Sequence, residues 1–568
     1  MPHRPDNAPS GLRELRLLDG PNLYFPRAAV KIVLDVAPLL ALDQAAFAAQ
    51  LAVWSEPAGR STAPDSEVRL RSVARLLARL TRRLAAGSGT TRLAVRTRTG
   101  PATGELTVVF PWRHRTRARA LALALAAVLD GEPFEAAVRA IVEQEAGPVP
   151  STPRPSIPVV AVTGTNGKTT TTRLIAHMSR CAGQVTGWSS TDGIFVDGVE
   201  IAAGDWSGYG GAGRVLADPT VQFAVLETAR GGLLLRGTGA LWNDVSVVTN
   251  VGADHLGLQG VNTIDDLAEV KAVVPRITRE GGWCVLNAQD PRVLAMRLVS
   301  RGRPFVFSLD PDAPGVRTVL AEQGRAVSIL DGQITHLAGG GVVEPLLALE
   351  EVPMTLSGLS PHATANALAA TAAALAIGLP REAIIEALKT FGAEHNPGRM
   401  NLWDVGGTIV SLDLAHNEES LTALLGVVAG LRTPGGRIVT VLGGAGDRLD
   451  QQLKDMGHLA VHGSDEVLIA HKASYLRGRA PEDLADLFRA GIGSWVPAYD
   501  DEVAGLVAAL VGRVPGDVVA LMVLVDRVRC EEVLVAAGGR LMNAEQVRDR
   551  VRSVREGQAA VLVASGVS

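Results

Sequence analysis

Short apolar runs separated by amphipathic stretches divide the chain into three blocks. In the first, AVKIVLDV (29–36) reads as a strand and Val68 to Ala85 as a helix with a basic face. TRLAVRTRTGPATGELTVVFPW reads as two strands paired around a Gly/Pro turn. A small N-terminal α/β domain is predicted over 1–145. The stretch AGPVPSTPRPSIP (146–158) then sets five prolines where a helix or ladder would need backbone donors, so it reads as a linker. Beyond it, IPVVAVTGTNGKTTTTRLIAHM (157–178) runs from a buried strand through a Gly-rich turn into a helix. FAVLET (223–228), DVSVVTNV (244–251) and GWCVLNA (282–288) follow as strands, with one helix from Thr263 to Ile277. Such alternation predicts a mostly parallel sheet covered by helices, here a central P-loop domain over 159–395. The rhythm restarts at NPGRMNLWDV (396–405), with TIVSLDLAH, GRIVTVLGGAG, DEVLIAH and GDVVALMVL each leading into helical sequence. A C-terminal Rossmann-like α/β domain is therefore predicted over 396–568, and no internal repeat is visible.

Composition narrows this picture. With 568 residues, 47% hydrophobic content and a formal charge of -4, the chain reads as globular and without a broad attraction to nucleic acid. Cys181, Cys284 and Cys530 stand too far apart for a CxxC metal site or a disulfide framework, and are expected to be small core residues. The N-terminus MPHRPDNAPSGLREL lacks the apolar region of a signal peptide, and no charge-free run reaches the ~18 residues that span a bilayer. No membrane partner and a cytoplasmic location are the expectation.

The chemistry begins at the turn. Backbone N–H groups from Gly164, Thr165, Asn166, Gly167 and Lys168, with the positive end of the following helix, suit di- or triphosphate oxygens. Lys168 would neutralise β/γ-phosphate charge, and Thr169 or Thr170 would offer a hydroxyl to Mg²⁺. The common P-loop carries its first Gly where this chain has Val162, and the bland alternative is a Gly-rich turn with no ligand. Glu227 ends one strand, and Asn250, Asp254 and His255 follow the next, so all should face the crevice at the carboxyl ends of the strands. Together they suit a metal. Singly, Glu227 could be a surface carboxylate and His255 a capping histidine.

The motifs TGTNGKTTTT, LETARGG, NVGADHLG, NPGRMN, DLAHNEES, GGAGDR and LRGRAPEDLADLF occur in the order found in the Mur ligase superfamily. The chain resembles that family over Pro158 to Leu524, and within it the Mur-type module of cyanophycin synthetases, with a weaker likeness at GLRELRLLDGPNLYFP. The family loop TGTxGKT accounts for the missing first Gly. The resemblance implies Mg²⁺ on Glu227 and His255, and a carbamylated lysine at Lys271. It places Arg399, Asp413, His416, Asn417, Asp447 and Arg448 on the ATP side, and Asn366 beside the adenine. An ordinary ion-paired lysine at 271 stays open. Ala363, Leu414 and Glu418 depart from the family pattern, and the ATP-grasp domain of cyanophycin synthetases is absent between the first two blocks.

The implied reaction is ATP-dependent amide formation. A carboxylate attacks the γ-phosphate, Lys168 and Mg²⁺ hold the acyl phosphate, and an amine displaces phosphate, with Arg399 neutralising transferring charge. The expected partners are a small-molecule or peptide-like carboxylate acceptor and an amino acid; a homo-oligomer and a separate ATP-grasp partner stay open. SSTDGIFVDG with GDWSGYGG resembles an acceptor-side loop, where Trp206 and Tyr209 would line a pocket or simply pack the loop. Arg477 and Arg479 would bind a carboxylate or form a solvated turn. The first domain would present a peptide or polymer, or serve structure or dimerisation. Two other readings are a nucleotide-binding subunit without turnover and a plain P-loop ATPase or kinase.

Overall fold

In the computed structural model, residues 9, 11–57, 62–253 and 256–564 are described. Three sheets with separate cores follow one another along the chain. The first has four strands in the order Leu12–Leu18, Ala29–Asp35, Glu105–Pro111, Arg96–Thr99, and every pairing is antiparallel. Alternate residues Val30, Ile32 and Leu34 meet Leu106, Val108 and Phe110 on one face, against the helices Glu67–Gly87 and Arg115–Leu129. The basic face of the first helix points outward because Val73, Leu76, Leu77, Leu80 and Leu84 take the inner stripe.

The second sheet has eleven strands. Its centre is parallel: Thr186–Ser189, Phe223–Glu227, Val159–Thr163, Asn243–Val248, Thr278–Asn287, Arg303–Ser308 and Arg325–Leu330. Antiparallel hairpins extend both edges. These central strands are nearly continuous Val, Leu, Ile and Phe because helices cover both faces. The helix Lys168–Cys181 packs through Leu174, Ile175 and Met178 against the alanine-rich helix Pro361–Ile377, whose small side chains let the two backbones approach. The helix expected over Thr263 to Ile277 is two pieces, Ile264–Lys271 and Val273–Arg276. Thr263 and Asp266 form a capping box at its start. Pro275 has no N–H to give the carbonyl of Lys271, and the helix breaks there.

The third sheet runs Ala498–Tyr499, Glu466–Ala470, Ile438–Leu442, Val518–Met522, Thr408–Asp413, Asn401–Val405, Arg540–Leu541. The first five strands are parallel and the last two pair antiparallel. A closing helix, Ala544–Ala564, buries Val547 and Val551 in the same core.

The proline-rich segment carries no regular element, yet it is pinned. Thr152 Oγ1 donates to Asp19 O at 2.7 Å, and Pro153 O accepts from Leu241 N at 3.0 Å. Cys284 and Cys530 are core residues, whereas Cys181 is only half-buried on its helix. Among the described residues no helix is long and apolar enough to cross a membrane.

Candidate active site

A cleft of about 790 Å³ opens where the carboxyl ends of the central parallel strands face the third lobe. The phosphate loop forms its floor. Gly164 and Gly167 lie at φ +156° and +84°, and both are crowded. A Cβ on Gly164 would stand 1.8 Å from Thr249 Oγ1, and one on Gly167 would stand 2.1 Å from Asn366 Oδ1. The loop is pinned from the neighbouring strand end. Asn250 Oδ1 accepts from Thr165 N at 3.2 Å and from Asn166 N at 2.9 Å, and Thr249 Oγ1 donates to Asn166 O at 2.6 Å. Lys168 begins the helix, and its Nζ bends back to Thr165 O at 2.8 Å.

Glu227 closes the next strand and is 1% exposed. One carboxylate oxygen accepts from Thr191 N at 3.3 Å, while Oε1 is buried without a hydrogen-bond partner. Burial pushes its carboxyl above the ordinary range, opposed by Lys168, the Thr169 hydroxyl, Thr191 N and Arg399. Thr169 Oγ1 lies 2.8 Å from Thr191 Oγ1, and Thr170 Oγ1 donates to Asn396 Oδ1 at 3.4 Å. Lys271 is buried and donates to Gly164 O at 2.6 Å, so as a plain ammonium it braces the loop from below.

From the third lobe come Arg399, Asp413 and His416, all on the cleft wall. Arg399 Nε is buried without a partner. Asp413 Oδ2 accepts from Met400 N at 2.8 Å, and burial pushes its carboxyl up to about 6 against the pull of Arg399 and two backbone donors. His416 Nδ1 lies 2.9 Å from Leu414 O. Among the described residues, two side-chain bonds join this lobe to the phosphate loop: Asn166 Nδ2 donates to Glu419 Oε2 at 2.6 Å, and Asn417 Nδ2 to Asn166 Oδ1 at 3.3 Å.

Asp413 gives a pH-dependent expectation. Its proton is held to about 6 in the folded chain against an ordinary value of 3.8, so the folded state binds protons the unfolded state has lost. That stabilisation is complete below the lower value and disappears as pH rises through the upper one. Asp413→Asn is neutral throughout, so its Tm relative to the parent should be higher at about pH 8 than at about pH 4. Thermal melts at the two pH values decide it, and an equal difference at both would remove the buried carboxyl from the account.

The cleft gathers the predicted Gly164, Thr165, Asn166, Gly167, Lys168, Thr169 and Thr170 with Glu227, Lys271, Asn366, Arg399, Asp413 and His416. Asp254 and His255 lie outside the described residues. Asn417, Asp447, Arg448, Arg477, Arg479, Trp206 and Tyr209 are not among the residues that line the cleft. Arg479 is taken up by Asp450 at 2.7 Å and by Arg448 O at 3.1 Å. Trp206 Nε1 donates to Ala203 O, and Tyr209 is buried against Thr152, so Asp205, Ser207 and Gly208 of the same loop face the cleft instead. Thr249, Thr191 and Glu419 went unnoticed in the sequence. Only Thr191, in a polar turn after a strand, carried a local signal.

No cluster of three or more His, Cys, Asp or Glu suited to a metal occurs among the described residues. A phosphate-bound Mg²⁺ needs few protein ligands, and the orphaned Glu227 Oε1 beside the Thr169 hydroxyl fits that demand.

Residues 162–374 match the Mur ligase middle domain, and residues 398–522 match the Mur ligase glutamate ligase domain. Cyanophycin synthetase of Crocosphaera subtropica is 42% identical over 341 residues, 59% of this chain and 38% of that protein. The cyanophycin synthetase of Synechocystis sp. is 41% identical over 364 residues, 62% of this chain and 41% of that protein. The chain thus spans about two fifths of the length of these curated relatives. In fold it is similar to E. coli FolC in complex with ADP, with a TM-score of 0.50 and 19% identity over 67% of this chain and 90% of that one.

Proposed function

We propose, from the premise that this chain carries the middle and the glutamate ligase domains of the Mur ligase family, that it is an ATP-dependent amide ligase. It would activate a carboxylate as an acyl phosphate and couple it to the amine of an amino acid or peptide-like substrate, releasing ADP and phosphate. One observation carries the reading. A buried carboxylate, Glu227, and a half-buried guanidinium, Arg399, each contribute a buried, unpartnered polar atom to the two sides of one cleft whose floor is a phosphate loop. Burying such atoms unpaired is costly, and a triphosphate with its cation would satisfy both.

The residues divide the work. The backbone of Gly164 to Lys168 cradles the β- and γ-phosphates, and the Asn250 and Thr249 clamps hold that cradle in shape before the nucleotide arrives. Lys168 leaves Thr165 O to meet phosphate charge. Arg399, with its fixed fork of donors, neutralises the phosphoryl group in flight. Asp413 and His416 order the nucleotide side, and Asn366 lies beside Gly167 towards the adenine. Mg²⁺, held by Glu227 and Thr169, would neutralise phosphate oxygens. Asp205, Ser207 and Gly208, with the short helix Arg230–Leu235, form the wall at which the carboxylate acceptor is placed. Closing the two lobes keeps water from the acyl phosphate.

The test is to incubate the protein with Mg-ATP and a pool of amino acids and aspartyl and glutamyl peptides, following phosphate release and new masses. Acceptor-dependent ADP with a condensed product is expected, with oxygen-18 from a labelled acceptor carboxylate passing into the released phosphate. ADP without acceptor would point to an ATPase. Nucleotide binding without turnover would point to a subunit of a larger assembly.

A further inference from the structure

Asp19 stands in the turn after the first strand of the N-terminal lobe, is not among the cleft-lining residues, and is 5% exposed. Its carboxylate is shared between lobes. Oδ1 accepts from Arg115 at 2.7 Å within its own lobe, and Oδ2 accepts from Arg236 Nε and Nη2 of the central lobe at 2.8 and 2.6 Å. The backbone repeats the attachment: Asp19 N and Gly20 N both donate to Arg236 O, and Thr238 N donates to Pro21 O at 2.7 Å. The fit is close, since a Cβ on Gly20 would stand 1.9 Å from Thr238 O. Arg236 also lies over the Tyr209 ring at 4.2 Å, and the Tyr209 hydroxyl meets Thr152 of the proline-rich segment at 3.1 Å.

Arg236 caps the helix Arg230–Leu235, whose Arg230, Gly231, Gly232 and Leu235 line the cleft. Behind that helix stands the second strip of the same wall, since a Cβ on Gly232 would be 2.9 Å from Gly208 Cα. From these contacts we infer that Asp19 is a positioning residue for the acceptor end of the cleft: through Arg236 it fixes the register of the 230–238 segment against the 205–209 loop. The same lobe braces a second element of the site, where Arg98 forks onto Glu269, two residues before Lys271. The N-terminal lobe is thereby part of the ligase core. This inference rests on the acceptor placement proposed above.

Arg115 and Arg236 keep 45% and 52% of their side chains exposed, so both stay solvated when the carboxylate goes and global stability should change little. The experiment compares Asp19→Ala, Asp19→Asn and Arg236→Ala with the parent in the full chain. Hydrogen–deuterium exchange over 230–241 should rise in Asp19→Ala and Arg236→Ala, and less in Asp19→Asn, which keeps one acceptor oxygen. Tm should stay within about 2 °C and Mg-ADP affinity should be unchanged. In the pool assay, the half-saturating pool concentration should rise about tenfold while that of Mg-ATP does not, the loss expected for one charge-assisted hydrogen bond. Parental exchange in Asp19→Ala, or equal shifts for pool and Mg-ATP, would overturn the inference. If the parent releases no ADP with the pool, the ligase reading fails alone, and the exchange comparison still decides whether Asp19 holds the wall.

Discussion

Lys168→Ala is expected to lower turnover by on the order of 10²–10³-fold while leaving Tm unchanged. The side chain begins a helix, where a cation is poorly placed against the helix dipole, and among the described residues its one hydrogen bond is to Thr165 O. Losing it should cost the fold almost nothing. Its contribution appears only when phosphate charge arrives, so the variant should bind adenine nucleotides weakly and fail at transfer. Steady-state phosphate release with a parallel thermal melt separates the possibilities. A parental rate would remove the cradle from the mechanism, and a large fall in Tm would recast Lys168 as a structural clamp of the loop.

Glu227→Gln should move stability and activity in opposite directions. The carboxylate is buried with one oxygen unsatisfied, and burial raises its proton affinity, so the folded chain holds that proton more tightly than the unfolded chain does. Stability from that tighter hold is full at low pH and lost as pH rises through the folded value. Glutamine imitates the neutral form at every pH. Its Tm should therefore exceed the parent's at neutral and alkaline pH, and the gap should narrow in acid. Turnover should fall on the order of 10²-fold, with a higher Mg²⁺ requirement, because the amide offers no negative charge to the cation. A variant that is both less stable and fully active would show that Glu227 is an ordinary core acid. The opposed signs follow from a site kept unsatisfied until its ligand comes.

How much of this was legible depends on distance along the chain. The strand Val159–Thr163, the turn and the helix Lys168–Cys181 are local, and their apolar runs, glycines and GKT carried them. Strand ends such as Glu227 and Asn250 were legible too, because parallel sheets collect their carboxyl ends on one side. What pins the loop was not. Thr249 reaches Asn166 from 83 residues away and Glu419 reaches it from 253, and no periodicity encodes a partner at such range. For the aromatic residues of the GDWSGYGG loop the sequence leaves a pocket wall and loop packing equally open. Here Tyr209 is buried against the linker, and the small Ser207 and Gly208 face the cleft. For the proline-rich segment, composition gives stiffness but not the Thr152 and Pro153 bonds that anchor it.

The shared carboxylate of Asp19 bears on synthesis as well as on geometry. Arg236 leaves the ribosome 217 residues after Asp19, a gap of some tens of seconds at ordinary elongation rates. In the last part of that interval, once the first lobe has been made through its helix Phe134–Val142, its docking face is complete in sequence and its counterpart is not yet synthesised. Arg115, made early and in the same lobe, gives the waiting acid a counter-ion, so the nascent face stays charge-balanced until the second arginine arrives to lock it.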